Sequence, residues 1–132
     1  RRGNAGTWVD GGHNPDAARA LSRELIPIRK AGSRIVAVWS MLRDKDAGGF
    51  LRAMRRSVEH WVVYPLSHER AATTEVLACA CRAAEVDFET APDFPGAWRA
   101  ARLRAGRDGV VIVCGSFVAV GDAYRHRLGD VP

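Results

Sequence analysis

Short apolar runs alternate along this chain with longer stretches in which apolar residues recur every three or four positions. Residues 7–10 (T-W-V-D) read as a short strand. Asn14 then suits a helix N-cap, Pro15 the first helical position and Asp16 the first turn. Ala17, Ala18, Leu21 and Leu25 form one apolar stripe, and Pro27 is expected to limit that helix. Arg34 to Trp39 is nearly continuous in apolar residues, as a strand buried on both faces should be. Phe50, Leu51, Met54 and Val58 mark a second helix, and His60 to Tyr64 a third strand. A third helix is expected over 69–84, with Val76, Leu77, Ala80 and Ala84 facing inward. Val86 to Glu89 gives a weak fourth strand, residues 93–105 a fourth helix, and Gly109 to Cys114 the clearest strand of all. A short helix through Tyr124 closes the pattern.

Alternation of this kind predicts an α/β fold: an open, mostly parallel sheet of about five or six strands with helices on both faces. No internal repeat, low-complexity tract or second-domain boundary interrupts the 132 residues, so one domain over 1–132 is expected. In such a sheet, ligands bind outside the carboxyl ends of the strands. Three loops then matter most: D-G-G-H-N-P after the first strand, L-R-D-K-D after the second and G-S-F after the last.

Composition narrows the picture. Hydrophobic residues make up 47% and charged residues 27%, an ordinary balance for a globular protein. No apolar run approaches the about 20 residues that span a bilayer. No signal peptide is visible, and the chain does not begin with Met, so a fragment, a processed chain or an excised domain is expected. The net charge of +5 comes almost wholly from arginine; Lys30 and Lys45 are the lysines among 20 basic residues. No basic block with interleaved aromatics argues for nucleic acid. The three cysteines, Cys79, Cys81 and Cys114, follow no disulfide or metal spacing, which fits a reducing compartment.

Each loop admits two readings. Gly11 and Gly12 permit positive φ and close approach of a ligand to the backbone. The helix starting near Pro15 offers free N–H groups to an anion, with His13 beside them, and Asp10 could accept from hydroxyls such as those of a ribose. Equally, the glycines could only make a turn and Asp10 only cap a backbone group. Lys45 could meet a carboxylate or phosphate, or pair with Asp44 and Asp46, the latter starting the next helix. Gly115-Ser116 could present a hydroxyl and an N–H to a ligand, or be a helix cap. A P-loop, a G-x-G-x-x-G turn, a zinc spacing and a G-x-S-x-G elbow are all lacking.

Taken in order, four motifs resemble the C-terminal domain of the Mur ligase superfamily, specifically of folylpolyglutamate synthase/dihydrofolate synthase. D-G-G-H-N-P at 10–15 is similar to the family's D-G-A-H-N-P, and Asp44-Lys45-Asp46 to its D-K-D loop. Arg70-Ala71 matches the R-A at the start of a helix after the third strand, and G-S-F-V-A-V-G-D at 115–122 the closing motif. Muramyl-peptide ligases tend to carry an aromatic residue where this chain has Gly11, which favours the folate branch.

The resemblance implies an ATP-dependent carboxylate–amine ligase that adds glutamate to dihydropteroate or a folate. A carboxylate is phosphorylated, and the glutamate amine displaces phosphate. By resemblance, Asp10 would contact the ATP ribose and Asn14 would lie near the nucleotide. His13 and Ser116 would hold glutamate, with Lys45 on the amino-acid side. ATP phosphates and Mg would be held mainly by an N-terminal ATPase domain that this sequence does not contain, so the chain alone is expected to be inactive. The implied partners are glutamate, ATP, a folate or dihydropteroate and that ATPase domain, in the cytoplasm, with neither nucleic acid nor membrane. The alternatives are another Mur-type amide ligase domain and a non-catalytic Rossmann-like binding or interaction module.

Overall fold

A computed structural model describes residues 6–126. Five strands and five helices alternate: β1 (Thr7–Asp10), α1 (Pro15–Lys30), β2 (Ile35–Trp39), α2 (Ala47–Met54), β3 (His60–Val63), α3 (Thr74–Ala83), β4 (Phe88–Thr90), α4 (Phe94–Ala105), β5 (Val110–Cys114) and α5 (Phe117–Arg125). All strand pairs are parallel, in the order β1-β5-β2-β3-β4. The α/β fold with an open parallel sheet expected from the sequence is the fold observed.

The strand order follows from the path of the chain. From β1 to β4 the chain advances in one direction, and α1, α2 and α3 cover one face through Leu21, Leu25, Phe50, Leu51, Met54, Leu77 and Cys81. After β4 it turns back to insert β5 between β1 and β2. Parallel crossovers keep one hand, so a reversed path must place its helix on the other face. There α4 and α5 lie, through Phe94, Ala97, Ala101, Ala119 and Ala123. Trp39, Phe50 and Trp61 pack together in the first core, with Trp39 edge-on to Trp61 at 5.4 Å between centroids.

Local signals start every helix. Asn14 accepts from Ala17 N at 2.8 Å, Asp46 from Gly49 N at 2.9 Å, Thr73 from Val76 N at 3.1 Å, Asp93 from Gly96 N at 2.8 Å and Ser116 from Val118 N at 3.0 Å.

Three expectations fail, each to tertiary packing. Pro27 does not end α1, which runs on to Lys30. Ile28, one residue past Pro27, packs against the core, so burial holds the last turn despite the missing N–H. The third helix begins at Thr74 rather than 69, and Val76 is 57% exposed; the buried stripe is Leu77, Cys81 and Ala84. The fourth strand occupies Phe88–Thr90, later than expected, because Trp61 pairs with Phe88.

Candidate functional site

Reversal of the chain at β5 leaves β1 and β5 side by side, with helices that depart to opposite faces. Asp10, the last residue of β1, is in register with Cys114, the last of β5, which is also in register with Trp39 of β2. The D-G-G-H-N-P loop then leads to α1 on one face and the G-S-F loop to α5 on the other. Folds of this kind bind ligands in the crevice between such diverging connections, at the carboxyl edge. Two helix N-termini border it, each a source of free N–H groups and positive potential.

Backbone geometry explains the small residues here. Gly115 has φ of +102°, and a Cβ on it would lie 2.4 Å from the Ser40 carbonyl oxygen, so the chain can leave β5 this way only with glycine. Gly11 and Gly12 permit positive φ but do not use it here. What Gly11 supplies is space: a Cβ there would lie 2.4 Å from Phe117 Cδ1. Phe117, the first residue of α5, is 72% exposed and thus lies across the D-G-G-H-N-P turn from the opposite wall.

His13 is half-buried and meets Phe117 edge-on, with ring centroids 6.4 Å apart. Its Nδ1 is buried without a hydrogen-bond partner among the described residues. Trp39 Nε1, Ser40 Oγ, Trp61 Nε1 and Arg102 Nη1 are buried in the same way, but His13 Nδ1 is the one on the D-G-G-H-N-P loop, where a ligand or a water would satisfy it. Asp10 Oδ1 accepts from Gly12 N at 2.9 Å, which fixes the carboxylate at the strand end. Asn14 and Ser116 spend one acceptor site each on their caps; the Ser116 hydroxyl keeps its proton to donate. Capping and ligand binding, alternatives on the sequence, are compatible in the structure.

Asp10, Gly11, Gly12, His13 and Phe117 therefore gather at one edge, with Asn14 and Ser116 at the adjoining helix starts. The loop that carries Lys45 adjoins this edge from the side. A Cβ on Gly49 would lie 2.8 Å from Pro15 Cγ, so the start of α2 abuts the start of α1. Lys45 makes no ion pair among the described residues, because its neighbours are engaged elsewhere. Asp46 caps α2, and Asp44 meets Arg70 at 2.5 Å. Burial acts upward on the Asp44 carboxyl, yet the Arg70 hydrogen bond and charge hold it below its ordinary value.

Arg70-Ala71 is not at the start of a helix, as the motif suggested. It lies before α3, in a segment bridged to the β2–α2 loop: Leu42 pairs with Ala71, Arg43 N donates to Arg70 O at 2.8 Å, and Ala72 N to Met41 O at 3.0 Å. Arg43 also reaches the Glu69 carbonyl at 2.7 Å. This latch, formed by residues far apart in sequence, carries the Lys45 loop. The closing motif hides a similar tie: Tyr64 Oη, one residue past β3, donates to Asp122 Oδ2 at 2.8 Å, and Asp122 also pairs with Arg125.

Cys81 and Cys114 are free and buried, and Cys79 is exposed. Burial pushes the Cys81 thiol up to about 12, and burial with the nearby Asp10 charge raises Cys114 further. Among the described residues no group of three His, Cys, Asp or Glu converges as a metal site requires, and no helix is long and apolar enough to cross a membrane.

Fold and crevice define an open parallel α/β domain of the class whose ligand sites lie at the carboxyl edge of the sheet. Residues 1–117 match the family model described as Mur ligase, glutamate ligase domain, and the chain belongs to that family. It is similar to the dihydrofolate synthase/folylpolyglutamate synthase of Escherichia coli K12, at 37% identity over 111 residues, 84% of this chain and 25% of the relative. A crystal structure of Mycobacterium tuberculosis folylpolyglutamate synthase complexed with ADP and AMPPCP superposes with a TM-score of 0.80 at 29% identity, over 96% of this chain and 30% of that one. A bifunctional folylpolyglutamate synthase/dihydrofolate synthase with Mn, AMPPNP and L-glutamate bound gives 0.75 at 38% identity, over 89% and 28%. The chain spans about a quarter of the length of the curated relatives it matches.

Proposed function

We propose that this chain is the glutamate-positioning domain of an ATP-dependent ligase that joins glutamate to the carboxylate of dihydropteroate or a folate in the cytoplasm. The observation that carries the reading is His13: a half-buried imidazole with an unpartnered Nδ1, between two helix N-termini that an anion would suit. Glutamate is a dianion with an amine. His13, the Ser116 hydroxyl, the first N–H groups of α1 and α5, and Lys45 at the side form a cradle for two carboxylates. Asp10 at the strand end would accept from the ATP ribose, with Asn14 near the nucleotide.

The chemistry is a two-step transfer. The acceptor carboxylate takes the γ-phosphoryl of ATP, releasing ADP. The glutamate nitrogen attacks the acyl carbon, and the C–O bond to phosphate breaks from the tetrahedral intermediate. Phosphate leaves, and the nitrogen loses its proton to water. The part assigned to this chain is to hold the amine in line with the acyl carbon, a positioning effect rather than acid–base catalysis. As the family resemblance implies, Mg would be held by the ATPase domain, and no step here runs through it.

The test measures ATP-dependent incorporation of labelled glutamate into dihydropteroate, in the polypeptide that carries this chain together with an ATPase domain. Activity there, none in the 132-residue chain alone, and a rise of tenfold or more in KM for glutamate in His13→Ala is the expected result. An unchanged KM in that variant would remove His13 from the glutamate site. Incorporation by the isolated chain would overturn the half-site reading.

A further inference from the structure

Away from the crevice, α1 and α2 pack side by side, and the groove along their outer seam is lined by cations from both. Arg19, Arg23, Arg29 and Lys30 come from α1. Arg52 comes from α2, and Arg55 and Arg56 follow it directly. Two hollows of about 500 and 280 Å³ share Ile26, Arg55 and Arg56, so they form one trough. In sequence these residues are three singles and two adjacent pairs, Arg29-Lys30 and Arg55-Arg56; helical spacing and the packing of α1 on α2 bring them together.

Like charges this close repel, and ties among the described residues offset part of this. Arg19 pairs with Asp16 on its own helix, and Arg29 Nη1 lies 3.4 Å from the Arg56 carbonyl oxygen. Glu24 is the other acid of α1 and is itself engaged, and Glu59 follows Val58 beyond the end of α2. Seven cations around an apolar floor, Ile26 and Ala53, match a slender chain that repeats carboxylates along methylene groups. No aromatic side chain lines either hollow, so the stacking platforms that single-stranded nucleic acid requires are not provided. The trough starts at Arg19, about one turn inside the helix whose N-terminus borders the crevice. From there it follows α1 for about 16 Å to Lys30, long enough for several carboxylates.

We propose that this trough binds an oligo-γ-glutamate chain, the tail of the ligase product, through its free α-carboxylates. The proposal rests on the glutamate-ligase reading above, and it assigns the residues of the groove a role that the crevice does not need.

Calorimetric titration of the 132-residue chain with γ-linked pentaglutamate, free glutamate and a single-stranded oligonucleotide of equal charge tests it. Pentaglutamate should bind the native chain, weaken at least tenfold in Arg55→Gln/Arg56→Gln and in Arg23→Gln/Arg52→Gln, and weaken steeply with salt. Circular dichroism should show both variants folded, since every substituted side chain is exposed. Pentaglutamate affinity equal in native and variant chains, no binding at all, or tighter binding of the oligonucleotide would each overturn the proposal. The two readings separate cleanly. Glutamate incorporation by the two-domain polypeptide without pentaglutamate binding sinks the trough alone. Variant-sensitive pentaglutamate binding without any incorporation sinks the ligase and leaves a polycarboxylate site.

Discussion

A Cβ added at Gly11 would lie 2.4 Å from Cδ1 of Phe117, so the turn after β1 and the first residue of α5 share one space. The glycine exists for its neighbour, not for its own φ. Gly11→Ala is therefore expected to push the Phe117 ring outward and to disturb His13, which meets that ring edge-on. KM for glutamate should rise severalfold with little loss of stability, because the ring can rotate into solvent. Adding Phe117→Ala should restore part of the loss. Steady-state kinetics on the two single variants and the double variant, each made in the two-domain polypeptide proposed above, check this; an additive double variant would mean the two residues act separately.

Tyr64→Phe removes the hydrogen bond to Asp122 while keeping the ring, which packs edge-on against Phe94 at 5.4 Å. Asp122 would then keep Arg125 as its partner. Losing a buried bond to a charged acceptor costs about 1.5–3 kcal/mol. The urea midpoint should fall accordingly, with an unchanged m-value. A midpoint equal to the native chain would show that the bond contributes nothing net.

Arg70→Ala opens the link to Asp44 at the foot of the Lys45 loop. Both side chains are about half exposed, so the melting temperature should barely move. What should move is KM for glutamate, severalfold upward, if Lys45 acts from a held loop. Arg70→Lys should rescue little, since lysine lacks the planar fork. Equal KM values in two-domain polypeptides carrying the native residue and Arg70→Ala would remove the latch from function.

Alkaline pH should destabilise the fold. Burial holds the Cys81 thiol up to about 12, and it raises Cys114 and Tyr64 as well, Tyr64 also through its bond to Asp122. Groups raised in the folded state contribute fully below their ordinary values. Above those values the unfolded chain ionises first, so stability is lost as pH rises from about 9 toward 12. Urea midpoints between pH 7 and 11 should be flat at first and then decline, less steeply in Cys81→Ala. A flat line to pH 11 would contradict the burial of these groups.

Element by element, the sequence alone determined what depends on neighbours along the chain. Asn14, Asp46 and Asp93 cap the helices they precede, and the apolar runs at 35–39 and 110–114 are the central buried strands. Capping and periodicity are local physics, so they can be read from a few consecutive residues. The D-G-G-H-N-P and G-S-F loops were legible as candidate sites because strand ends can be recognised locally. Tertiary structure alone decided the rest. Packing of Ile28 carried α1 through Pro27, and pairing with Trp61 set where β4 lies. The insertion of β5 between β1 and β2 brought His13 to Phe117, and the packing of α1 on α2 made one trough from scattered arginines. Contacts between residues distant in sequence are set by how the whole core is buried, and no local pattern encodes them.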